Sequence, residues 1–155
     1  MDAGGCPVRM LRKLRRLADL SPGEWLLIPQ LAVLALAVGV GLRLAALPDL
    51  TGRLARAARH PWLGRLPWRH ERLDPARLAV LADLIARLTG GRGRCLTRSL
   101  LLYWLLAARG APVELRVGIT KHAALLQGHA WIETAAGVIG DSAELTGRFV
   151  VLVRL

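Results

Sequence analysis

The sequence predicts an α+β fold, with helices first and an antiparallel sheet after them. Two observations carry that prediction. As far as Ala108, apolar residues recur at helical spacing between proline and glycine breakers, and from Val113 onward the period changes to two. Strands and helices do not alternate along the chain, so a parallel βαβ plan is not indicated. A length of 155 residues fits one domain with a small helical appendage, and a 54% hydrophobic composition can fill a sizeable core. The mean hydropathy of +0.38 keeps membrane contact open.

Residues 8–20 place Leu11, Leu14, Leu17 and Ala18 at helical spacing among Arg9, Arg12, Lys13, Arg15 and Arg16. This is a basic amphipathic helix, suited either to an acidic membrane or partner or to covering the core. Ser21, Pro22 and Glu24 then predict a helix start, with Ser21 as cap, Pro22 in the first turn and Glu24 closing a capping box. The helix that follows contains an uninterrupted run of apolar or glycine residues from 31 to 42. Pro29 and Gln30 interrupt it on one side and Arg43 closes it on the other, so a buried core helix is expected ahead of a membrane span.

Pro48 and Asp49 are read as the end of that helix, and residues 51–72, rich in Arg, Pro and Trp, as a linker or binding surface. Asp74 and Pro75 repeat the cap-then-proline start of a helix over 75–88, which stops at Thr89, Gly90 and Gly91. A second apolar helix over 96–108 follows Cys95 and stops at Gly110 and Pro112. Val113, Leu115, Val117 and Ile119 then alternate with polar residues or glycine, predicting a strand. A loop with Lys121 and His122 leads to a strand over 129–133, a turn over 134–137, a segment over 138–141, and a last strand over 148–153. On this reading residues 1–72 form an N-terminal helical region and residues 73–155 the core unit.

Lys and Arg number 22 against 11 Asp and Glu, a net charge of +11 that suits an acidic partner, an anionic membrane surface or a nucleic acid. Nucleic acid is the least favoured of these, because the arginines are dispersed over several elements. No glycine-rich segment has a phosphate-binding or dinucleotide pattern, and no His, Cys and Asp cluster has metal-ligand spacing, so no cofactor or metal is expected. The two cysteines, Cys6 and Cys95, are too few for a disulfide framework or a structural zinc site. A reducing cytoplasm, with membrane association possible through residues 8–47, is the expected location.

Cys95 sits where a glycine-rich loop becomes a helix. Unpaired N–H groups and the helix dipole favour the thiolate there, and Arg92, Arg94 and Arg98 add positive field. A free cysteine in such a place is also commonly a small buried hydrophobe. His129 strengthens the catalytic reading, since it opens a strand and shares a face with Trp131 and Glu133. Asp141 lies across the hairpin from it. An odd turn, 134–136 or 135–137, would bring His129 and Asp141 to one face, and an even turn would separate them. Cys95 as nucleophile, His129 as base and Asp141 as its orienter make the constellation of a cysteine peptidase. His122 is a weaker alternative base, Glu144 an alternative orienter if the register slips, and Glu133 a partner for an arginine on the exposed sheet.

Gly93-Arg94-Cys95-Leu96-Thr97-Arg98-Ser99-Leu100, the segment from Arg109-Gly110-Ala111-Pro112 through Gly118, Gly128-His129-Ala130-Trp131-Ile132-Glu133, and Gly140-Asp141 together resemble the stand-alone B2 proteins of lasso peptide biosynthesis. That family belongs with the transglutaminase-like, papain-related cysteine peptidases, and the resemblance covers roughly residues 74–155. It implies a papain-related core with the catalytic Cys at a helix N-terminus and the His and Asp on the sheet. It implies removal of the leader from a ribosomally made lasso precursor peptide, with Cys95, His129 and Asp141 on the triad positions. It also implies a separate leader-binding partner, the B1 protein, a Thr at the second-last leader position, and an asparagine-synthetase-like cyclase that receives the product.

Overall fold

The computed structural model describes residues 21–61, 73–89, 93–122 and 125–155. The helix expected over 8–20 and the tryptophan–arginine stretch over 62–72 lie outside the described residues.

Helix α1 (Pro22–Leu44) begins as its sequence dictates. Ser21 Oγ accepts from the Glu24 N–H at 3.3 Å, and the Ser21 N–H donates to Glu24 Oε2 at 2.7 Å, which closes the capping box. The other carboxylate oxygen of Glu24 accepts from Arg77 Nε at 2.6 Å and ties α1 to a later helix. That hydrogen bond holds the buried Glu24 carboxyl below its usual range, against the opposing effect of burial.

Leu27, Leu31, Ala35 and Val38 form the buried stripe of α1, whereas Trp25, Leu26, Val33, Leu36, Val40 and Leu44 are exposed. The expectation of a core helix therefore holds on one stripe only. Among the described residues α1 is the one helix long and apolar enough to cross a membrane. A helix apolar on every side carries no periodic signal for which face is covered.

The end of α1 corrects the sequence reading. The helix stops at Leu44, and Pro48 lies in the first turn of a second helix, α2 (Leu47–Ala58), where its missing N–H costs nothing. Leu50, Leu54 and Ala58 recur every four residues and are buried, while Arg53 and Arg56 face outward. Residues 51–58 are thus helix rather than linker, with a narrow apolar stripe that the arginines obscure. Gly41 permits the close approach of α1 and α2, since a Cβ there would meet Leu50 Cδ1 at 2.6 Å.

Helix α3 (Pro75–Leu88) has the expected bounds, although Asp74 makes no side-chain capping bond. Helix α4 (Arg94–Ala108) starts two residues earlier than expected, directly after Gly93, whose φ of 92° is in the left-handed region. Leu100, Leu101, Leu102, Leu105 and Leu106 of α4 are all buried, between α1, α2 and α3 on one side and the sheet on the other. This one helix joins both halves of the sequence into a common core.

The antiparallel sheet has the order β3-β2-β1-β4, from β1 (Val113–His122), β2 (Leu125–Thr134), β3 (Gly137–Ile139) and β4 (Val150–Arg154). The β1–β2 hairpin is longer than the sequence suggests. Lys121 and His122 belong to β1, paired with Leu126 and Leu125, and His129 lies inside β2 rather than at its start. Residues 125–128 are exposed on both faces, so they lack the alternation by which a half-buried strand is read. Glu133 pairs with Arg116 at 2.6 Å, the arginine pairing expected on the sheet, with both side chains half-buried. A short helix, α5 (Ala143–Thr146), capped by Ser142 and absent from the sequence reading, leads to β4.

Gly118 of β1 lies opposite His129 at an irregularity in the β1–β4 pairing. A Cβ at this position would meet the Val150 carbonyl oxygen at 2.8 Å and Trp131 Cη2 at 3.0 Å. Backbone on one side and a buried indole on the other leave no room to yield. Gly118→Ala is expected to destabilise the fold by about 1–3 kcal/mol, measured by urea unfolding. Unchanged stability would show that the β1–β4 contact is looser than described.

Candidate active site

Cys95 is the second residue of α4, in the first turn, where a helix leaves its leading N–H groups without an i−4 acceptor, although the Leu96 N–H donates to the Gly93 carbonyl at 3.0 Å. Ser99, one turn further on and buried, donates its hydroxyl to the Ala130 carbonyl at 2.8 Å. That bond fixes the start of α4 against β2. It is available because β3 stops at Ile139, leaving the β2 edge beyond Ile132 free of a strand partner on that side. The imidazole of His129, next in sequence to Ala130, faces the Cys95 sulfur and is the largest influence lowering its thiol.

Asp141 reaches the same place by a route the sequence does not suggest. Thr134 pairs with Gly137, so the β2–β3 turn has an even number of loop residues, 135–136. Continued alternation would place Asp141 opposite Ala130 and away from His129. The ladder ends at Ile139, and Gly140, with φ of 80°, turns the chain so that the carboxylate swings back. A Cβ on Gly140 would also lie 2.9 Å from Ala79 Cβ, so both conformation and space require glycine there. Asp141 Oδ2 lies 3.1 Å from His129 Nε2. With Nε2 on the carboxylate, Nδ1 is the ring nitrogen left for the thiol.

The three residues singled out from sequence are therefore brought together. Two partners were not foreseen. Arg98, expected only to add positive field, pairs with Asp141 through the same Oδ2 that meets His129. Phe149, just before β4, packs on the His129 ring with centroids 5.2 Å apart, and Trp131 stacks on it at 6.1 Å with an 18° interplanar angle. The spacing of His129 and Trp131 on one strand signals the second contact, but nothing near Phe149 signals the first. Of the alternatives, Glu144 is exposed on α5, and the structure describes no site role for it.

The electrostatics follow from these contacts. The His129 side chain is 16% exposed and that of Asp141 8%, so their interaction is weakly screened. Hydrogen bonds to Asp141 first, and then to Cys95, push His129 up to about 9, against burial. The His129 hydrogen bond is the largest influence lowering the Cys95 thiol, again against burial, with the Ala130 and Leu96 amides adding to it. Burial pushes the Asp141 carboxyl up, but His129 and Arg98 together outweigh it and hold it below its usual range. The combination favours thiolate beside imidazolium beside carboxylate. Among the described residues no group of three or more His, Cys, Asp or Glu side chains is placed to hold a metal ion.

The family model of the transglutaminase-like superfamily matches residues 34–154, most of the chain. The chain belongs to the transglutaminase-like superfamily. No curated protein and no solved structure gives a match. Members of the superfamily commonly use cysteine-based catalysis and include cysteine peptidases and acyltransferases. A transglutaminase-like domain accounts for the α+β plan seen here, helices packed on an antiparallel sheet. The match begins inside α1, so α2 and the C-terminal half of α1 belong to the matched region together with α3, α4 and the sheet.

Proposed function

We propose that this protein is a cysteine peptidase that cleaves the leader from a lasso precursor peptide, acting with a separate leader-binding B1 partner. The observation that carries the catalytic part is the hydrogen-bonded sequence from Cys95 through His129 to Asp141 at the start of α4. The leader-peptidase part rests on the motif resemblance around those residues. The Cys95 thiolate attacks the carbonyl carbon of the last leader–core bond. The Cys95 N–H, unpaired within the helix, faces the oxyanion that forms. His129 as imidazolium gives its proton to the leaving amine of the core, and the C–N bond breaks to leave a thioester. Neutral His129 then takes a proton from water, hydroxide adds to the thioester carbonyl, and the thiolate departs with the leader's carboxylate formed. Asp141 fixes the ring so that one nitrogen always faces the sulfur.

A transglutaminase-type acyl transfer shares every step up to the thioester and differs only in its acceptor, amine instead of water. Incubation of the precursor with this protein and its B1 partner, followed by mass spectrometry, separates the two. Leader with a free carboxylate plus intact core supports the peptidase. Leader joined to an added amine supports the transferase. An intact precursor that is nevertheless bound rules out both and points to a non-catalytic scaffold. The freed core amine would pass to the asparagine-synthetase-like cyclase.

The location belongs to the same proposal: a cytoplasmic enzyme that touches the membrane through α1. What supports contact is the outward face of that helix, where Trp25, Val33, Leu36 and Leu44 are 59%, 66%, 63% and 80% exposed. The expected result is flotation of the protein with anionic phospholipid vesicles, lost on replacing Val33 and Leu36 with Gln. Recovery entirely in the soluble fraction would remove the membrane from the account.

A further inference from the structure

A cleft of about 210 Å³ opens beside Cys95, lined by Asp83 and Arg87 of α3 and by Arg94, Cys95 and Arg98 of α4. Its charges do not cancel. Arg87 Nε lies 2.8 Å from Asp83 Oδ2, and Arg98 is held by Asp141. Arg94, exposed at the first position of α4, makes no ion pair among the described residues. Among the described residues, three guanidiniums thus meet two carboxylates around the thiol, leaving one positive charge in excess. The positive end of the α4 helix dipole adds to the same sign. A guanidinium carries five N–H donors, so Arg87, which lines the cleft and gives its Nε–H to Asp83, keeps further donors for an oxyanion.

We infer that this cleft is a subsite for an acidic substrate residue, an Asp or Glu side chain flanking the bond that Cys95 attacks, with Arg94 as the residue that sets the preference. The inference rests on Cys95 being the nucleophile. An acidic side chain entering the cleft finds a cation without having to displace an existing carboxylate. A basic side chain meets repulsion from Arg94 and Arg87, and a neutral one leaves Arg94 with water. The ion pairs of Arg87 and Arg98 also hold the other two guanidiniums in place, so the field at the thiol is preorganised.

The test needs no known substrate. Iodoacetate and iodoacetamide differ by one negative charge and attack the same sulfur, so the ratio of their rates cancels any change in thiolate fraction. Rates are read from the mass of the peptide containing Cys95, which leaves Cys6 out of the measurement. In Arg94→Gln the iodoacetate-to-iodoacetamide ratio is expected to fall about threefold, and in Arg94→Glu about tenfold. The wild-type ratio is expected to fall as salt is raised. Circular dichroism on both variants checks that the fold is kept. A ratio unmoved in Arg94→Glu and indifferent to salt would overturn the subsite. Failure of Cys95 to react with either reagent below the ordinary thiol range would instead overturn the nucleophile reading on which the subsite depends.

Discussion

Cys95→Ala is expected to lower precursor cleavage by at least about a thousandfold while the protein remains folded. No other group described at the site can take over the attack. His129 and Asp141 are committed to each other, and Ser99 spends its hydroxyl on the Ala130 carbonyl. The fold should tolerate the change, because Cys95 is only partly buried and alanine is a good helix former near the start of α4. Single-turnover mass spectrometry reads the chemistry, and thermal unfolding reads the fold. Loss of cleavage with an unchanged transition supports the assignment. Equal cleavage by mutant and wild type would remove Cys95 from the mechanism.

Asp141→Ala is expected to cost about 10²–10⁴-fold in kcat/KM and to reshape its pH dependence. The working state needs thiolate and imidazolium together. Its acid limb lies below the ordinary thiol range, because the Cys95 thiol is lowered, and its alkaline limb lies at about 9, where His129 gives up its proton. The hydrogen bond that His129 donates to Asp141 is the largest influence raising His129, so its removal should carry the alkaline limb to lower pH. The same raised value has a stability consequence of fixed sign. The imidazolium interaction contributes fully below the ordinary 6.5 of histidine and is lost as pH rises through about 9. An alkaline limb that stays in place in Asp141→Ala would mean that Asp141 does not hold the imidazolium.

The residue types at the site were legible in sequence, and their geometry was only partly so. Cys95 stood out because a glycine breaker precedes an apolar helix, a pattern that survives in the fold as Gly93 in the left-handed region followed by the first turn of α4. His129 stood out with Trp131 at strand spacing, and the two rings do stack. The parity argument that points to Asp141 needs an odd turn, and the β2–β3 turn is even. The meeting depends on Gly140, and a glycine's φ is not readable from its neighbours. Arg98 was one of many arginines in a chain of +11, and only the three-dimensional placement of Asp141 distinguishes it. The second helix was missed because its apolar stripe of Leu50, Leu54 and Ala58 is one residue wide and lies between arginines. The hairpin tip was missed because strand alternation records a buried face, and residues 125–128 are exposed on both faces.

The central claim, a Cys95 thiolate held by the His129 imidazolium, is tested most directly by the pH dependence of Cys95 alkylation with iodoacetamide. The rate is followed by the mass of the Cys95 peptide in wild type and in His129→Ala. The account predicts that wild-type Cys95 reacts below the usual thiol range of about 8.5 and that His129→Ala moves the midpoint back toward it. A wild-type midpoint in the ordinary range, or one unmoved by the loss of His129, would contradict the ion pair and with it the proposed mechanism.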